Sequence, residues 1–223
     1  MILGVVALLI CIFLLLKMVS RKFRWHTVER LLRKIHIPFG FIVIAISVVH
    51  GIITLDVWST RNVMVVGTGI GAAILLVLMA IAYCNSKKLK GKWIALHRRG
   101  ALLIALLLIG HISIYYVDLF SYKRNITAIE IIGMNASNVK NGTYEGEYDA
   151  GYIYAKVSVT VHNEQIANIH ILKHDNERGT PAETIAESII KQQSTMVDAV
   201  SKATNSSLVI QKAVENAIMK GID

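Results

Sequence analysis

The chain has 223 residues, of which 54% are hydrophobic, and its formal net charge is +9. So apolar a composition excludes a single soluble domain. Residues 1–118 contain 14 Lys and Arg against 3 Asp and Glu, whereas residues 119–223 contain 10 against 12. Because the basic residues cluster in short loops of an apolar region, they do not indicate a nucleic-acid partner. We therefore predict a membrane domain at 1–118, a linker at 119–140 and a second domain at 141–223.

Four apolar segments of the first domain read as membrane helices: 2–16, 37–55, 63–84 and 101–117. Each is close to the length that a bilayer requires, although the first is short. Basic residues concentrate in the loops after the first and third segments, and only Arg61 lies between the second and third. The positive-inside rule places both basic loops in the cytoplasm. The sequence thus predicts a multi-pass protein of the cell membrane whose C-terminal domain is extracytoplasmic.

Two pairs of histidines accompany these helices, and both pairs have the same spacing. His36 and His50 are fourteen residues apart, as are His97 and His111. Fourteen residues are close to four helical turns, so both histidines of a pair share one helix face, roughly 21 Å apart along the axis. The predicted topology makes the second and fourth helices parallel, so the pairs also match in depth. Ionisable residues at membrane depth are functional by default.

We interpret the four side chains as axial ligands of two haems, His36 with His97 and His50 with His111. Zinc is less favoured, because no Cys or carboxylate is near enough in sequence to complete a tetrahedral site. The structural alternative is that each histidine is a polar group bonded to a neighbouring helix.

The C-terminal domain has the pattern of a small α+β fold. Alternating apolar residues over 153–161 predict a strand, His162 to Glu164 a turn, and 166–171 a second strand. Thr180 to Glu183 has the pattern of a capping box before a helix. A last helix is expected to begin near Ser206 or Ser207. The predicted fold class is an α-helical membrane bundle of four helices followed by a small α+β domain.

The loop before the last helix is rich in hydroxyl groups. A helix N-terminus of this kind is a natural phosphate site, and an ordinary Ser/Thr cap is the alternative. The residues singled out in this loop are Asp198, Ser201, Lys202, Ala203, Thr204, Ser206 and Ser207.

These residues carry a resemblance to a known family. The domain resembles the FMN-binding domain of the flavin-carrying subunits of the Na+-translocating NADH:quinone oxidoreductase and the Rnf complex. That family has a D-x-x-S-G-A-T loop, matched here by Asp198, Ser201, Ala203 and Thr204. The resemblance implies FMN joined to Thr204 by a phosphoester bond, with a flavin transferase as the partner that attaches it. Lys202 stands where the family has Gly; it is strained if the loop needs a positive φ, or its charge meets the FMN phosphate.

The membrane half is similar, more loosely, to ferric-reductase-like and cytochrome b modules, which hold two haems b between histidines of two helices. Together the resemblances imply an electron-transfer flavocytochrome, an oxidoreductase component without catalytic residues of its own. A membrane quinol or a cytoplasmic reductase would be the donor, and an external acceptor would receive the electrons in extracellular electron transfer. The alternative is a membrane-anchored FMN-binding subunit or sensor module without haem.

Overall fold

The structure is a computed structural model that describes residues 2–222. Its internal contacts group the chain into two compact units. The first unit extends to Trp58 and resumes over Asn62–Tyr115, and the second comprises Ser59–Arg61 together with the chain from Tyr116 onward. Met1 and Asp223, the outermost residues of the two predicted domains, lie outside the described residues.

Among the described residues, the first unit contains four helices that are long and apolar enough to cross a membrane, together with one short helix. Many of their large apolar side chains are exposed, as expected for helices whose solvent is lipid. The helices are α1 (Ile2–Lys22), α2 (His26–Ile53), α3 (Val63–Cys84), the short α4 (Ser86–Leu89) and α5 (Lys92–Thr127), the last of which continues into the second unit.

Helices α1, α2 and α5 extend beyond the predicted segments at one or both ends. Helix α3 coincides with the predicted span, but α2 begins eleven residues earlier than predicted. Pro38 consequently lies inside α2 and does not open it. Leu32, on the added turns, is buried. Helix α5 runs on to Thr127, so the first nine residues of the predicted linker are helical.

Small and medium side chains form the core of this unit. Helix α1 packs along α2, and α2 also packs on α3. Such close packing of helices relies on small residues, because no hydrophobic effect drives association within lipid. The core contains Ala7, Cys11 and Val43, surrounded by Ile10, Leu14, Ile46, Leu76 and Leu108.

The second unit contains a three-stranded antiparallel sheet of order β1-β2-β3. Its strands are β1 (Gly142–Asp149), β2 (Tyr154–His162) and β3 (Gln165–Asp175). Asn163 and Glu164 both have positive φ angles and make the two-residue turn between β2 and β3, as a type I′ hairpin requires. One face of β2 is fully buried and consists of Ala155, Val157, Val159 and Val161.

Helices cover the buried face of this sheet. After β3 come a 3₁₀ helix (Thr180–Thr184), α6 (Ile185–Gln192) and α7 (Thr204–Met219). Helix α7 crosses β1 and β2. It approaches β1 so closely at Gly146 that any Cβ there would collide with the α7 backbone. Four apolar helices followed by a small α+β domain is the fold class that the sequence predicted, and the structure confirms it.

Candidate functional site

The loop singled out in the sequence leads into α7 without a side-chain cap. Ala203 is the N-cap residue and Thr204 the first helical residue, two positions before the predicted start. Thr204 is exposed, whereas Ala203 is buried. Because the first N–H groups of a helix lack intrahelical partners, the positive end of α7 lies beside the Thr204 hydroxyl. The arrangement offers an accessible nucleophilic oxygen at a place that favours an anion.

Lys202 has a φ angle of 65°, in the left-handed region that glycine adopts without strain. For a residue with a Cβ this conformation costs about 1 kcal/mol or more. A hydrogen bond of 3.0 Å from the N–H of Ala203 to the carbonyl of Val200 closes the turn around it. The loop therefore requires a positive φ at this position, where the family that it resembles has Gly. Lys202 adopts this conformation at a cost in backbone strain. Its side chain is exposed.

Two of the singled-out serines hold the loop in place. The Ser207 hydroxyl accepts from the N–H of Val200 and donates to the carbonyl of Ala203, both at 3.0 Å. Ser206 is buried against Gly179, where any Cβ would collide with its Oγ. Asp198 and Ser201, like Thr204, are exposed, so the surface that the loop presents consists of these residues together with Lys202.

A buried network that sequence reasoning missed anchors the start of this loop. The Gln211 amide donates to the carbonyls of Thr195 and Val197, at 3.0 and 2.8 Å. Glu215 is completely buried and accepts from the Thr195 hydroxyl at 2.9 Å. The signal was present, since Gln211 and Glu215 are four residues apart on the otherwise apolar face of α7 that includes Ile210 and Val214.

A second cluster lies at the end of β3 and in the segment that follows it. Only 2% of the His174 side chain is exposed. Its Nδ1 is 3.0 Å from a carboxylate oxygen of Glu183, so Glu183 does not complete the predicted capping box. Asn176 bonds to His174 and accepts from the N–H of Gly179, the residue that packs against Ser206. This cluster therefore positions the segment beside the start of α7.

Five side chains, which we call the rim, link the start of α7 to that segment. The Asn205 amide donates to the Tyr122 hydroxyl at 2.9 Å, and the Tyr122 and Tyr152 rings stack with centroids 4.6 Å apart. The Arg61 guanidinium lies 3.8 Å from the centre of the Tyr152 ring and forms an ion pair with Glu177. All five belong to the second unit.

No local pattern indicated the rim, apart from Arg61 as the one basic residue between the second and third spans. The rim places two aromatic rings and a cation next to Asn205, the residue after Thr204.

In the first unit, the structure brings His36 and His97 together. Their ring centres are 5.7 Å apart and the rings are inclined by 77°. Two imidazoles that bind one metal from opposite sides have their centres about 6 Å apart, since each metal–nitrogen bond is about 2 Å. The Nδ1 atoms of both rings are buried without a hydrogen-bond partner among residues 2–222. The separation of the two ring centres is therefore close to that of two imidazoles that share one metal.

The other two histidines each lie against a glycine of a neighbouring helix. A Cβ on Gly4 of α1 would be 3.2 Å from the His50 ring, and one on Gly69 of α3 would be 3.2 Å from the His111 ring. His111 Nδ1 is also 3.0 Å from the carbonyl oxygen of Val65. A proton on Nδ1 satisfies this bond and leaves Nε2 with the free electron pair that a metal requires.

The Thr68 hydroxyl is 3.2 Å from the same Nδ1 of His111. Residues 65–69 of α3 therefore orient the His111 ring by hydrogen bonds and packing. Haem and metal ligands are commonly oriented by such neighbouring groups. Across the described residues, no three His, Cys, Asp or Glu side chains come together as a metal-binding group. A haem iron takes four ligands from its porphyrin, so two histidines per iron match its needs.

Comparison with known proteins bears on the second unit. Residues 150–219 match the family model of the FMN-binding domain, a stretch that contains β2, β3, α6 and α7 with the Thr204 loop. No curated protein and no solved structure shows significant similarity to the chain. The match supports FMN as a cofactor of this unit and points to flavin-based electron transfer. The four apolar helices are consistent with a multi-pass membrane protein.

Proposed function

We propose that the protein is a transmembrane flavocytochrome, which conducts electrons between a donor on the cytoplasmic side and an acceptor outside through two haems b and one covalently bound FMN. The observation that carries the proposal is the contact of His36 with His97 in a chain that also has an FMN-binding domain. When bound, haem supplies a one-electron centre and FMN a centre that exchanges one or two electrons.

The protein's own part in haem binding would be to supply and orient nitrogen ligands. His36 and His97 offer nitrogens to the inner haem, and His50 and His111 to the outer one. The Val65 carbonyl would fix the His111 tautomer by accepting from Nδ1. Gly4 and Gly69 leave the space that the two outer rings occupy. The apolar helices around them would exclude water and hold the two centres apart.

Reduced-minus-oxidised absorption spectra of the purified protein test this part. We expect about two noncovalent haems b per chain, with His50→Ala losing one haem and retaining much of the other. His26→Ala, a change of an exposed histidine at the start of α2, is the matched control and should keep both. Full haem content in a variant with all four paired histidines changed to Ala would refute the assignment.

Thr68→Val probes the outer ligand more finely. It removes the hydroxyl beside His111 Nδ1 and keeps the shape of the side chain. We expect haem content to stay unchanged while the midpoint potential of one haem shifts, because a partner of the axial imidazole tunes its basicity. Equal shifts in the midpoint potentials of both haems, or no shift, would contradict the role of residues 65–69 of α3 in orienting His111.

The attachment of FMN to Thr204 is the second part of the proposal. It rests on the resemblance of the loop, on the exposure of Thr204 and on the positive end of α7 beside it. Thr204→Val removes the hydroxyl with little change of shape. It should abolish in-gel flavin fluorescence and the mass increment of one FMN, whereas Thr184→Val, at another exposed threonine, should retain both. A covalent flavin on the Val variant would show that the site is elsewhere.

The direction of transfer rests on the charge of the loops. By the positive-inside rule, the basic loops after α1 and before α5 support a cytoplasmic position for those helix ends, with the chain after α5 outside. Donor-side haem reduction should survive in Thr204→Val while reduction of an external acceptor fails. If external reduction continues at the wild-type rate, the flavin is not on the path.

A second candidate is a membrane-anchored FMN-binding or sensor module without haem. The hydrogen bond between His111 Nδ1 and the Val65 carbonyl supports this candidate. A histidine with a purely structural role between helices would form the same hydrogen bond. The absence of a haem absorption band from protein purified with its flavin would decide for this candidate.

A further inference from the structure

The planes of the two inner histidine rings are not fixed by hydrogen bonds from Nδ1. In both His36 and His97 this atom is buried and has no hydrogen-bond partner among the described residues. His111 differs, because its Nδ1 lies 3.0 Å from the Val65 carbonyl oxygen, which orients that ring. An imidazole is only weakly restrained about its own Cβ–Cγ bond. The plane of the His97 ring is therefore set by the side chains that pack against it.

Trp93 packs against the His97 ring. It precedes His97 by four residues on α5, so the two side chains lie on the same face of the helix. Their ring centres are 6.0 Å apart and the ring planes are inclined by 54°. Trp93 also contacts Tyr83 of α3, with ring centres 6.1 Å apart and an inclination of 68°. A half-buried indole that a second helix holds in place is a rigid neighbour for the His97 ring.

The ring contacts continue from His97 to His36, whose ring plane is inclined by 77° to that of His97. Tyr83, Trp93, His97 and His36 therefore form a continuous row of rings, all of which belong to the first unit. Aromatic rings that meet at such angles restrict one another's rotation. A change at Trp93 consequently alters the angle between the two imidazoles, although Trp93 has no printed contact with His36.

We propose that Trp93 is a positioning residue, which holds the His97 ring so that the two axial imidazoles of the inner haem are nearly perpendicular. The inference rests on the proposed function in one respect, namely that His36 and His97 bind the same haem iron. It adds, for the inner haem, the orienting group that the Val65 carbonyl provides for the outer one.

The angle between two axial rings has a spectroscopic consequence. Each imidazole interacts mainly with one of two iron d orbitals, and the orientation of its ring plane decides which one. Perpendicular rings act on different orbitals, which therefore stay close in energy, whereas parallel rings act on the same orbital and separate it from the other. Oxidised low-spin haem gives one very large g value in electron paramagnetic resonance when these orbitals are close in energy, and a rhombic spectrum when they are separated. The angle of 77° predicts a large-g spectrum for the inner haem.

The test is electron paramagnetic resonance of the oxidised, full-length, detergent-purified protein. We expect a large-g signal in the wild type that persists in His50→Ala and is lost in His36→Ala, which assigns it to the inner haem. Trp93→Leu removes the ring that restrains His97, so a rhombic signal should replace the large-g signal at unchanged haem content. Trp93→Phe keeps an aromatic ring next to His97 and should retain the large-g signal. The signal of the outer haem should be the same in all Trp93 variants, because the Val65 carbonyl orients His111.

Trp25→Leu is the matched control, because Trp25 is another tryptophan of the first unit, is 53% exposed and stacks on Phe23. It should leave both haem signals unchanged. Tyr83→Leu removes the support of Trp93 and should change the inner signal in the same direction as Trp93→Leu. If Trp93→Leu does not retain the inner haem, Tyr83→Leu decides the matter, and an unchanged large-g signal in that variant would overturn the proposal.

The haem content of each sample separates this inference from the proposed function, since absorption spectra measure it independently of the ring angle. If the wild type contains both haems and the inner one gives a rhombic spectrum, the perpendicular arrangement is refuted and the haem ligation stands. The same holds for the role of Trp93 if Trp93→Leu retains both haems and the large-g signal. If wild-type protein contains no haem, the proposed function fails and the inference fails with it.

Discussion

The sharpest prediction on stability concerns Glu215, because its surroundings are completely defined. Its side chain is 0% exposed, and one carboxylate oxygen accepts three hydrogen bonds. The donors are the N–H groups of Ile132 and Gly133, at 2.9 and 3.1 Å, and the Thr195 hydroxyl at 2.9 Å. The other oxygen is 3.0 Å from Nζ of Lys212. Glu215→Ala would remove the acceptor from all four groups at once.

The expected magnitude follows from the burial of these groups. Breaking a buried, hydrogen-bonded charge network by removing one partner costs about 3–5 kcal/mol. That is a large share of the 5–15 kcal/mol by which a domain is typically stable. Glu215→Gln keeps an acceptor and the shape but loses the charge, so we expect a loss of about 1–2 kcal/mol, the difference between charged and neutral hydrogen bonds.

Hydrogen exchange followed by mass spectrometry of the full-length protein measures this effect where it occurs. In Glu215→Ala the amides of Ile132 and Gly133 should exchange at least about a hundredfold faster, since 1.36 kcal/mol corresponds to a factor of ten. Peptides covering 194–203 should lose protection with them. Glu187→Ala, at an exposed carboxylate of α6, should change stability by less than about 0.5 kcal/mol. Unchanged protection in the Glu215→Ala variant would refute the view that this network anchors the loop.

Three further predictions concern other parts of the chain. Lys202→Gly relieves a positive φ, so flavin content should stay at the wild-type level and the loop should be no less stable, whereas Lys202→Val should destabilise it by about 1 kcal/mol or more; a fall of flavin content in the Gly variant would show instead that the lysine charge is needed. Gly146→Ala should lower the midpoint of chemical unfolding by the equivalent of about 1–3 kcal/mol, because its Cβ meets the α7 backbone, and wild-type stability would contradict that close approach. In a cysteine-free background, Ser86→Cys should be shielded from impermeant thiol reagents in intact cells while Ser137→Cys is labelled; the reverse pattern would overturn the proposed orientation.

Periodic local signals allowed much of the fold to be predicted from the sequence. The apolar run of α3 matches the predicted span residue for residue. The alternation from Ala155 to Val161 predicted a strand with one buried face, and the structure has it. Fourteen-residue spacing placed His36 and His97 at equivalent positions on two helices, and their rings meet. Such features depend only on the repeat of a helix or strand, which a single segment of sequence contains.

Only the tertiary structure could decide which helix ends, loops and buried polar groups come together. The residue type of Lys202 gives no sign of a left-handed conformation, and only the Gly of the resembled family at this position pointed to one. Tyr122 reaches Asn205 across 83 positions of sequence, and Arg61 reaches Glu177 across 116. These pairings arise when separate elements fold against one another, and no periodic pattern encodes them. The hydroxyl-rich loop before α7 could therefore be recognised from the sequence, whereas the cluster of Arg61, Asp118 and Tyr152 became visible only when the fold brought these residues together.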